Sequence, residues 1–386
     1  MHEKPDTRAI TAGRGENASL APVLWPSTVW ESTDLDDAAR RAAGRRSGQF
    51  YARYANPTVS QFERAIADLE GYESALAFGS GMGALSTLVF ALCGPGSHIV
   101  AQNNIYGATT AFLQGPCARF GIETTFVDPR VPGAFNDAVQ PGRTMLVIAE
   151  TPSNPRLALA SLSEIGAIKG PFTVVDSTLA TPMGQRPIDF GVDMVLHSAT
   201  KGIGGHNDAL LGVIAAEADL LDEVWSYSVM HGASASPHDA LNALRGMRTL
   251  AVRTERQSRT ALTLARALES HPAVTAAVHP FLESHPQHDL ARAQMRHGGT
   301  IMAVELEGGL DACRTMVARL GLARIATSFG GPETLVCHPA TSTHLGLSPE
   351  SLAAAGVTPG LLRFSIGLED PEDLLADITA ALSALG

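Results

Sequence analysis

The sequence predicts an α/β protein with a large, mostly parallel sheet domain, followed by a smaller C-terminal α+β domain. Three observations support this prediction. From residue 56 onward, short apolar runs alternate with stretches of helical periodicity, the pattern of buried strands connected by helices. From about residue 240 helical periodicity dominates, and two strand patterns follow it. The length of 386 residues exceeds what one core usually supports, so we expect at least two domains.

Composition narrows the class of protein. Hydrophobic residues make up 45% of the chain and charged residues 17%, and the net charge of −11 argues against general binding to nucleic acid or anionic membranes. The N-terminal residues lack the apolar core of a signal peptide, and no run approaches the roughly 18 apolar residues of a membrane helix. The four cysteines are widely spaced without a CxxC pair. We therefore expect no metal site and a reducing, cytoplasmic setting.

Residues 1–48 are turn-rich and form a predicted N-terminal arm. The segment DDAARRAAG, residues 36–44, is a candidate short helix that ends at Gly44. A segment with little apolar core of its own often lies across a partner subunit. We therefore expect the arm to contribute to a neighbouring chain.

Residues 49–250 are predicted to form the large sheet domain. Helices are expected in PTVSQFERAIADLEG, GMGALSTLVFALCG and YGATTAFLQGPCARFG. The predicted strands are, in order, SALAF, HIVAQ, IETTFVD, TMLVIAE, FTVVDS, DMVLHS and LLGVIAA. Ligands bind such sheets beyond the carboxyl ends of the strands, so functional residues should directly follow the strands.

Residues 251–386 are predicted to form the smaller α+β domain. A long helix over residues 239–271 leads into it. Strands are expected in GTIMAVELEGG and LARIATSF, and a C-terminal helix in PEDLLADITAALSAL.

Glycines follow the first predicted strand, in the order Gly79-Ser80-Gly81-Met82-Gly83. Glycine lets a backbone N–H group approach an anion at the start of a helix. The spacing matches neither GxGxxG nor GxSxG. The alternative is a tight strand-to-helix turn without a ligand.

An acid and a lysine follow two later strands. Asp176 ends the strand FTVVD, where a buried carboxylate is costly unless it is paired; alternatively, it caps the helix that follows. Lys201 follows DMVLHS, with Ser198 and Thr200 just before it. A partly buried lysine at this position would have a lowered pKa. The alternative is a solvated lysine in a loop.

Together the three signals match the needs of one cofactor. Pyridoxal phosphate requires an anion site for its phosphate, an acid beside its ring nitrogen and a lysine for its aldehyde. The glycine turn, Asp176 and Lys201 supply these groups in an order that fits one pocket at the strand ends.

From Ala9 to Leu385 the sequence resembles the pyridoxal-phosphate enzymes of cysteine and methionine metabolism. The matching segments are YARYANPT, ALAFGSGMGA, NIYGATTAFL, AETPSNP, VVDSTLATP, DMVLHSATKGIGGHND, SHPQHDLARAQM, HPATSTH and LLRFSIGLEDPEDLLADI. The family includes cystathionine γ-synthase, cystathionine γ-lyase, cystathionine β-lyase, methionine γ-lyase and the homoserine sulfhydrylases. The resemblance implies the fold-type I architecture of pyridoxal-phosphate-dependent transferases, with a seven-stranded large sheet. It also implies a homotetramer, built as a dimer of dimers, with active sites shared between subunits.

The resemblance implies a role for each matching residue around the cofactor. Lys201 looks like the Schiff-base lysine and proton shuttle, and Asp176 looks like the partner of the ring nitrogen. Tyr106 should stack on the ring and assist proton transfer. The phosphate ligands should be Gly81, Met82, Ser198 and Thr200 from one subunit, with Tyr51 and Arg53 from its neighbour.

The resemblance also implies a substrate site. Asn154 should contact the cofactor's phenolic oxygen and the substrate carboxylate, and Arg363 should bind that carboxylate bidentately, with Ser328 nearby. From the residues alone, Arg363 could instead form a surface salt bridge with the acids of LEDPED. Thr327 precedes Ser328, where enzymes that handle cystathionine often carry Glu.

Three further positions depart from the family pattern. Gly202 follows the lysine in place of an aromatic residue, and Ser177 follows Asp176 in place of Asn. Ala108 stands where methionine γ-lyases often carry Cys. Thr327 and Ala108 predict a smaller, less charged pocket wall, and Gly202 predicts a reshaped site beside the lysine.

The expected function is γ-elimination or γ-replacement on a homoserine- or cysteine-derived amino acid, a carbon–sulfur lyase or γ-substituting transferase of the cystathionine γ-lyase or γ-synthase type. Alternatives are methionine γ-lyase or O-acyl-homoserine sulfhydrylase activity, and a non-catalytic binding subunit with the same fold. A nicotinamide dehydrogenase is disfavoured because the dinucleotide fingerprint is absent from the sequence.

Overall fold

The computed structural model describes residues 3–14, 19–46, 49–346 and 348–385. Within the predicted arm, residues 1–2, 15–18 and 47–48 therefore lie outside the described residues. The described part of the arm contains α1 (Pro5–Thr11) and α2 (Leu35–Ala43). Asp34 caps the start of α2 by accepting the N–H of Asp37, and the helix ends before Gly44 as predicted.

The large sheet contains seven strands in the order β1-β7-β6-β5-β4-β2-β3. All seven strands predicted from the apolar runs are present. β7 pairs antiparallel with β1 and β6, and the other four pairings are parallel, which confirms a mostly parallel sheet. The strands are β1 (Ser74–Phe78), β2 (His98–Gln102), β3 (Glu123–Val127), β4 (Thr144–Glu150), β5 (Phe172–Asp176), β6 (Met194–Ser198) and β7 (Gly212–Ala216).

Apolar layers cover both faces of this sheet. Leu196 and Ile214 belong to a core with the helices α4 (Gly81–Leu92) and α9 (Ala218–His231). Their strand neighbours point to the opposite face, against α3 (Pro57–Glu70) and α10 (Pro237–Met247). This explains why the strand sequences are almost continuously apolar. Shorter helices complete the layers: α5 (Gly107–Phe112), which continues into a π-helical turn (Leu113–Cys117), α6 (Ala134–Asp137), α7 (Leu162–Ala167) and α8 (Thr181–Gly184), with a 3₁₀ turn at Pro187–Phe190.

The single long helix predicted over residues 239–271 is wrong. The chain instead forms α10 and, after a break at Arg248 and Thr249, α11 (Leu250–Leu268). A tertiary contact explains the break: the Arg253 guanidinium donates to the carbonyl oxygens of Gly246, Gly202 and Ile203. It thereby joins the end of α10 to the loop after β6. Helical periodicity continues across the break and does not reveal it.

A second sheet has five strands in the order β10-β11-β12-β9-β8, and α11, α13 and α15 pack on it. The strand predicted in LARIATSF is reduced to two residues. Ser328, further along this segment, has φ +79 and is not extended. The strands are β8 (Val274–Val278), β9 (Ile301–Leu306), β10 (Arg324–Ile325), β11 (Leu335–Cys337) and β12 (Leu361–Ser365). The helices are α12 (His288–Gln294), α13 (Gly309–Val317), α14 (Pro349–Ala354) and α15 (Pro371–Leu382), with 3₁₀ turns at Pro339–Thr341 and Ser383–Leu385.

The predicted domain boundaries, after residues 48 and 250, stay predictions. In the described part of the chain, no helix is both long and apolar enough to cross a membrane.

Candidate active site

A cavity of about 290 Å³ lies at the carboxyl ends of β4, β5 and β6 and reaches residues of the second sheet. Its location agrees with the expectation that functional residues directly follow strands. Eleven of the thirteen predicted site residues line it: Gly81, Met82, Tyr106, Asn154, Asp176, Ser198, Thr200, Lys201, Thr327, Ser328 and Arg363.

The start of α4 forms one end of this cavity. The Ser80 hydroxyl accepts the N–H of Gly83 at 2.9 Å, and no capping acceptor among the described residues serves the N–H groups of Gly81 and Met82. A Cβ atom on Gly81 would lie 2.9 Å from the Cβ of Ser198. The glycine thus allows the helix terminus to approach the end of β6. Free N–H groups beside the Ser198 hydroxyl suit a phosphate.

Asp176 ends β5 at the floor of the cavity. Its Oδ1 accepts both the N–H of Thr178, at 3.0 Å, and the Thr178 hydroxyl, at 2.5 Å. The side chain therefore lines the cavity and fixes the turn that follows β5. The alternative of a helix cap is wrong, because α8 begins only at Thr181 and no described side chain caps it. Burial raises the pKa of Asp176, while the bonds from Thr178 oppose that change.

Lys201 is held inside the cavity rather than solvated in a loop. Its Nζ donates to the Ser328 hydroxyl at 2.6 Å and lies 5.2 Å from the centroid of the Phe329 ring. Burial, with a smaller contribution from the Arg363 cation, lowers the pKa of Lys201 to about 8. A substantial neutral fraction near physiological pH makes this amine a nucleophile and a base.

Arg363 lies on β12 with only 2% of its surface exposed. Its Nη1 donates to Asn154 Oδ1 at 3.0 Å and its Nη2 to the Ser328 carbonyl oxygen at 2.6 Å. The alternative of a surface salt bridge is wrong, because no described carboxylate pairs with this guanidinium and its Nε has no partner among the described residues. Burial lowers the pKa of Arg363. A buried cation held by neutral acceptors is suited to an incoming carboxylate.

Tyr106 precedes α5 and has 39% of its surface exposed. Its ring lines the cavity, and its main-chain N–H donates to Glu150 Oε2 at 2.8 Å. Thr327 is an exposed residue at the rim, next to Ser328.

Tyr51 and Arg53 lie outside the cavity of their own chain. Arg53 Nη1 donates to the Val229 carbonyl oxygen at 2.6 Å, and its guanidinium lies 5.4 Å from the centroid of the Tyr51 ring. The Tyr51 side chain is 40% exposed. The predicted role of both residues in a neighbouring subunit stays a prediction.

The cavity lining also contains residues that were not predicted as site residues, among them Glu150, Leu210 and Thr343. Glu150 carried a usable signal, because it ends the apolar run TMLVIAE as Asp176 ends FTVVD. Leu210 and Thr343 belong to loops, where neither periodicity nor charge distinguishes them.

These residues fit pyridoxal phosphate. The free N–H groups and small residues at the start of α4 suit its phosphate. A carboxylate at the end of β5 suits its ring nitrogen, and an amine of lowered pKa suits its aldehyde. Such a site at the edge of such a sheet defines a pyridoxal-phosphate-dependent enzyme of fold type I.

Comparisons with known proteins identify the family. Residues 6–383 match the model described as Cys/Met metabolism PLP-dependent enzyme, and the chain belongs to that family. It is 40% identical over 387 residues to an L-methionine gamma-lyase of Porphyromonas gingivalis, covering 98% of this chain and 97% of that protein. An O-succinylhomoserine sulfhydrylase of Pseudomonas aeruginosa is 38% identical, covering 98% and 95%. A structure of cystathionine gamma synthase from Xanthomonas oryzae pv. oryzae, in complex with cystathionine, has a TM-score of 0.93 at 35% identity, covering 100% and 99%.

The family, the α/β fold and the pyridoxal phosphate cofactor are thereby confirmed, as is the prediction of an enzyme. The named relatives are a lyase, a sulfhydrylase and a synthase, so the chain is a γ-elimination or γ-replacement enzyme, as predicted.

Proposed function

We propose that this enzyme catalyses γ-elimination of L-methionine or of a similar amino acid with a small, uncharged γ-thioether. With methionine and one water molecule, the products are methanethiol, 2-oxobutanoate and ammonia. One observation carries the proposal. Among the described residues that line the cavity, the charged ones are Glu150, Asp176, Lys201 and Arg363. The last three have a role in the proposed chemistry, and both oxygens of Glu150 accept main-chain N–H groups, so none is left to pair with a charged γ-substituent.

The wall that remains for the γ-substituent is neutral. Thr327, Thr343 and Leu210 line it. The distal carboxylate of a succinyl ester, or the distal amino-acid group of cystathionine, would lose water there without gaining a partner of opposite charge. A methylthio group fits such a wall because it has no charge to compensate.

Arg363 is proposed to bind the α-carboxylate of the substrate. Its two terminal nitrogens are oriented by Asn154 and Ser328, and a guanidinium binds a carboxylate bidentately. The contact orients the Cα–H bond toward Lys201, because Ser328 contacts both Arg363 and Lys201.

Lys201 is proposed to move the protons. Pyridoxal phosphate, when bound, supplies an aldehyde for the substrate amine and a ring that withdraws electrons from Cα and Cβ. The neutral Nζ of Lys201 would take the Cα proton and pass it to the bound cofactor, and, neutral again, would take a Cβ proton. The Cγ–S bond would then break, and the proton on Nζ would go to the leaving thiolate. Asp176 holds the proton of the ring nitrogen, and Tyr106 stacks on the ring and donates or accepts protons near Cγ.

The predicted contacts to the cofactor phosphate are also part of this proposal. The phosphate would be held by Gly81, Met82, Ser198 and Thr200, and by Tyr51 and Arg53 of a neighbouring subunit in a homotetramer. The exposed Tyr51 and its stacked Arg53 support that placement. The four free cysteines support a reducing, cytoplasmic setting.

A second candidate is γ-replacement on an O-acyl-homoserine. In this reaction a thiol takes the place of the acyloxy group at Cγ, and no 2-oxo acid is released. Ala108 favours it, because methionine γ-lyases often carry Cys at this position. The 38% identity to the sulfhydrylase also supports it.

Product analysis separates the two candidates. The holoenzyme is incubated with methionine, O-acetyl-homoserine, O-succinyl-homoserine or cystathionine, with and without cysteine, and 2-oxo acids and thioethers are quantified. We expect 2-oxobutanoate from methionine with the highest kcat/KM. Thioether formation from an O-acyl-homoserine, without turnover of methionine, would establish the second candidate and reject the first.

Thr327→Glu provides a matched test of the neutral wall. It places a carboxylate where enzymes that handle cystathionine often carry one. We expect the kcat/KM ratio of cystathionine to methionine to rise about two- to fivefold, from one exposed charge pair. Thr343→Ser, which adds no charge, serves as the control.

A further inference from the structure

Glu150 is a buried carboxylate at the end of β4, and the proposed chemistry gives it no task. Only 2% of its surface is exposed. Its Oε2 accepts the main-chain N–H of Tyr106 at 2.8 Å, and its Oε1 accepts the main-chain N–H of Asn154 at 2.8 Å. One side chain thus joins two walls of the cavity.

The main chain of Glu150 is itself fixed by Gln102 on β2. The Gln102 side chain accepts the N–H of Glu150 at 2.9 Å and donates to its carbonyl oxygen at 2.9 Å. A second bond from Gln102 Nε2, to Asn104 Oδ1 at 3.0 Å, orients the amide. Because these atoms are buried, the carboxylate projects from a rigid base.

The two bonds of the carboxylate end at residues that touch the ligands. The Tyr106 ring lines the cavity, and Asn154 Oδ1 accepts from Arg363. A shift of the Tyr106 main chain would move the ring, and a shift at Asn154 would turn the Arg363 guanidinium. The carboxylate of Glu150 sets the spacing between these two groups.

We propose that Glu150 is a positioning residue that holds Tyr106 and Asn154 at one spacing across the cofactor and substrate. The inference rests on the roles given to Tyr106 and Asn154 under the proposed function. Glu150 is not a catalytic residue, because both of its oxygens already accept main-chain N–H groups. Asp176, the register partner of Glu150 on β5, is the acid that would pair with the ring nitrogen.

Glu150→Gln tests the inference in the holoenzyme. An amide has one acceptor oxygen, so its NH₂ group faces a main-chain N–H and one of the two bonds is lost. We expect the KM for the amino acid to rise about 10- to 100-fold, the effect of leaving one buried main-chain N–H group without its acceptor. We also expect changed visible circular dichroism of the bound cofactor, because the Tyr106 ring moves.

Glu63→Gln is the matched control. Glu63 is also buried, and its Oε1 accepts a main-chain N–H, that of Ala77, at 2.9 Å, but it lies outside the cavity. We expect it to lose thermal stability while leaving KM and the cofactor spectrum unchanged. If Glu150→Gln changes only stability, as Glu63→Gln does, Glu150 is a structural residue and the inference is rejected.

A second variant and a binding measurement cover the cases in which Glu150→Gln does not fold or the enzyme does not turn over methionine. If Glu150→Gln does not fold, Glu150→Asp carries the same expectation, since its shorter arm reaches one of the two N–H groups. Amino-acid binding is also followed by titration of the cofactor absorbance, which needs no turnover. A failure of methionine γ-elimination would therefore leave the test of Glu150 intact.

Discussion

Gly202 is the residue next to Lys201 where family members usually carry an aromatic ring, and the structure predicts what a side chain there would meet. A Cβ on Gly202 would lie 2.9 Å from Cγ2 of Thr181, whereas two carbon atoms pack best at about 3.5–4.0 Å. The loop cannot withdraw, because Gly330 packs so closely that a Cβ on it would lie 2.5 Å from the Gly202 nitrogen. Gly202→Ala should therefore destabilise the holoenzyme by about 1–3 kcal/mol.

The clash has one partner atom, so it can be relieved by one change. Thr181→Ser removes Cγ2 and keeps the Oγ1 that accepts the N–H of Met183 at 3.3 Å. Alone, this change should cost about 1 kcal/mol for the lost methyl group. Combined with Gly202→Ala, it should recover most of the loss, giving a favourable coupling of at least about 1 kcal/mol.

Denaturant unfolding of the holoenzyme, at fixed protein and cofactor concentrations, measures all four proteins of this cycle. The double variant should be more stable than Gly202→Ala alone. Strictly additive losses, or a Gly202→Ala variant as stable as the wild type, would refute the packing argument. Gly202→Tyr should lose more than Gly202→Ala in the Thr181 background, because its clash begins at the same Cβ.

Three further predictions follow from the site. Lys201→Ala should lower kcat by about 10³- to 10⁴-fold and remove the absorbance band of the bound cofactor near the visible edge; an unchanged band would contradict the role of this lysine. Arg363→Lys should raise the KM for methionine about 10- to 100-fold with a smaller change in kcat, because lysine cannot donate bidentately; the reverse pattern would assign Arg363 to the chemical step. In the apo-protein the pKa of Lys201 lies at about 8, so its acylation, mapped by mass spectrometry, should have its pH midpoint there. Arg363→Met should raise that midpoint, since it removes a nearby cation, and a wild-type midpoint near 10.5 would contradict the effect of burial.

The sequence predicted the large sheet better than the rest of the fold. Its seven strands are buried on both faces and are therefore apolar runs that periodicity detects. The strands β8, β11 and β12 were not predicted as strands. β11 has three residues, and β8 is only partly buried, so neither gives a clear apolar pattern. The break between α10 and α11 depends on Arg253, a contact between segments distant along the chain.

The candidate site could be predicted to the extent that its residues follow strands. Asp176 and Lys201 were found because each is a charged residue at the end of an apolar run. The same argument applies to Glu150, which the sequence places at the end of β4. The sequence could not predict which side chain contacts each of these charged residues. The contact between Lys201 and Ser328 joins residues 127 positions apart, and that between Arg363 and Asn154 joins residues 209 positions apart.

The four charged residues of the cavity support its assignment as the active site independently of the comparison with known proteins. Burial raises the pKa values of Asp176 and Glu150 and lowers those of Lys201 and Arg363, so each group is shifted toward its neutral form. Among the described residues, none of the four forms an ion pair with another. An unpaired buried charge costs free energy. A substrate carboxylate at Arg363 and a protonated ring nitrogen at Asp176 would each supply the missing opposite charge. Ligand binding would therefore offset a cost that the apo-protein carries, and the clustering of four such groups in one cavity supports its assignment as the active site.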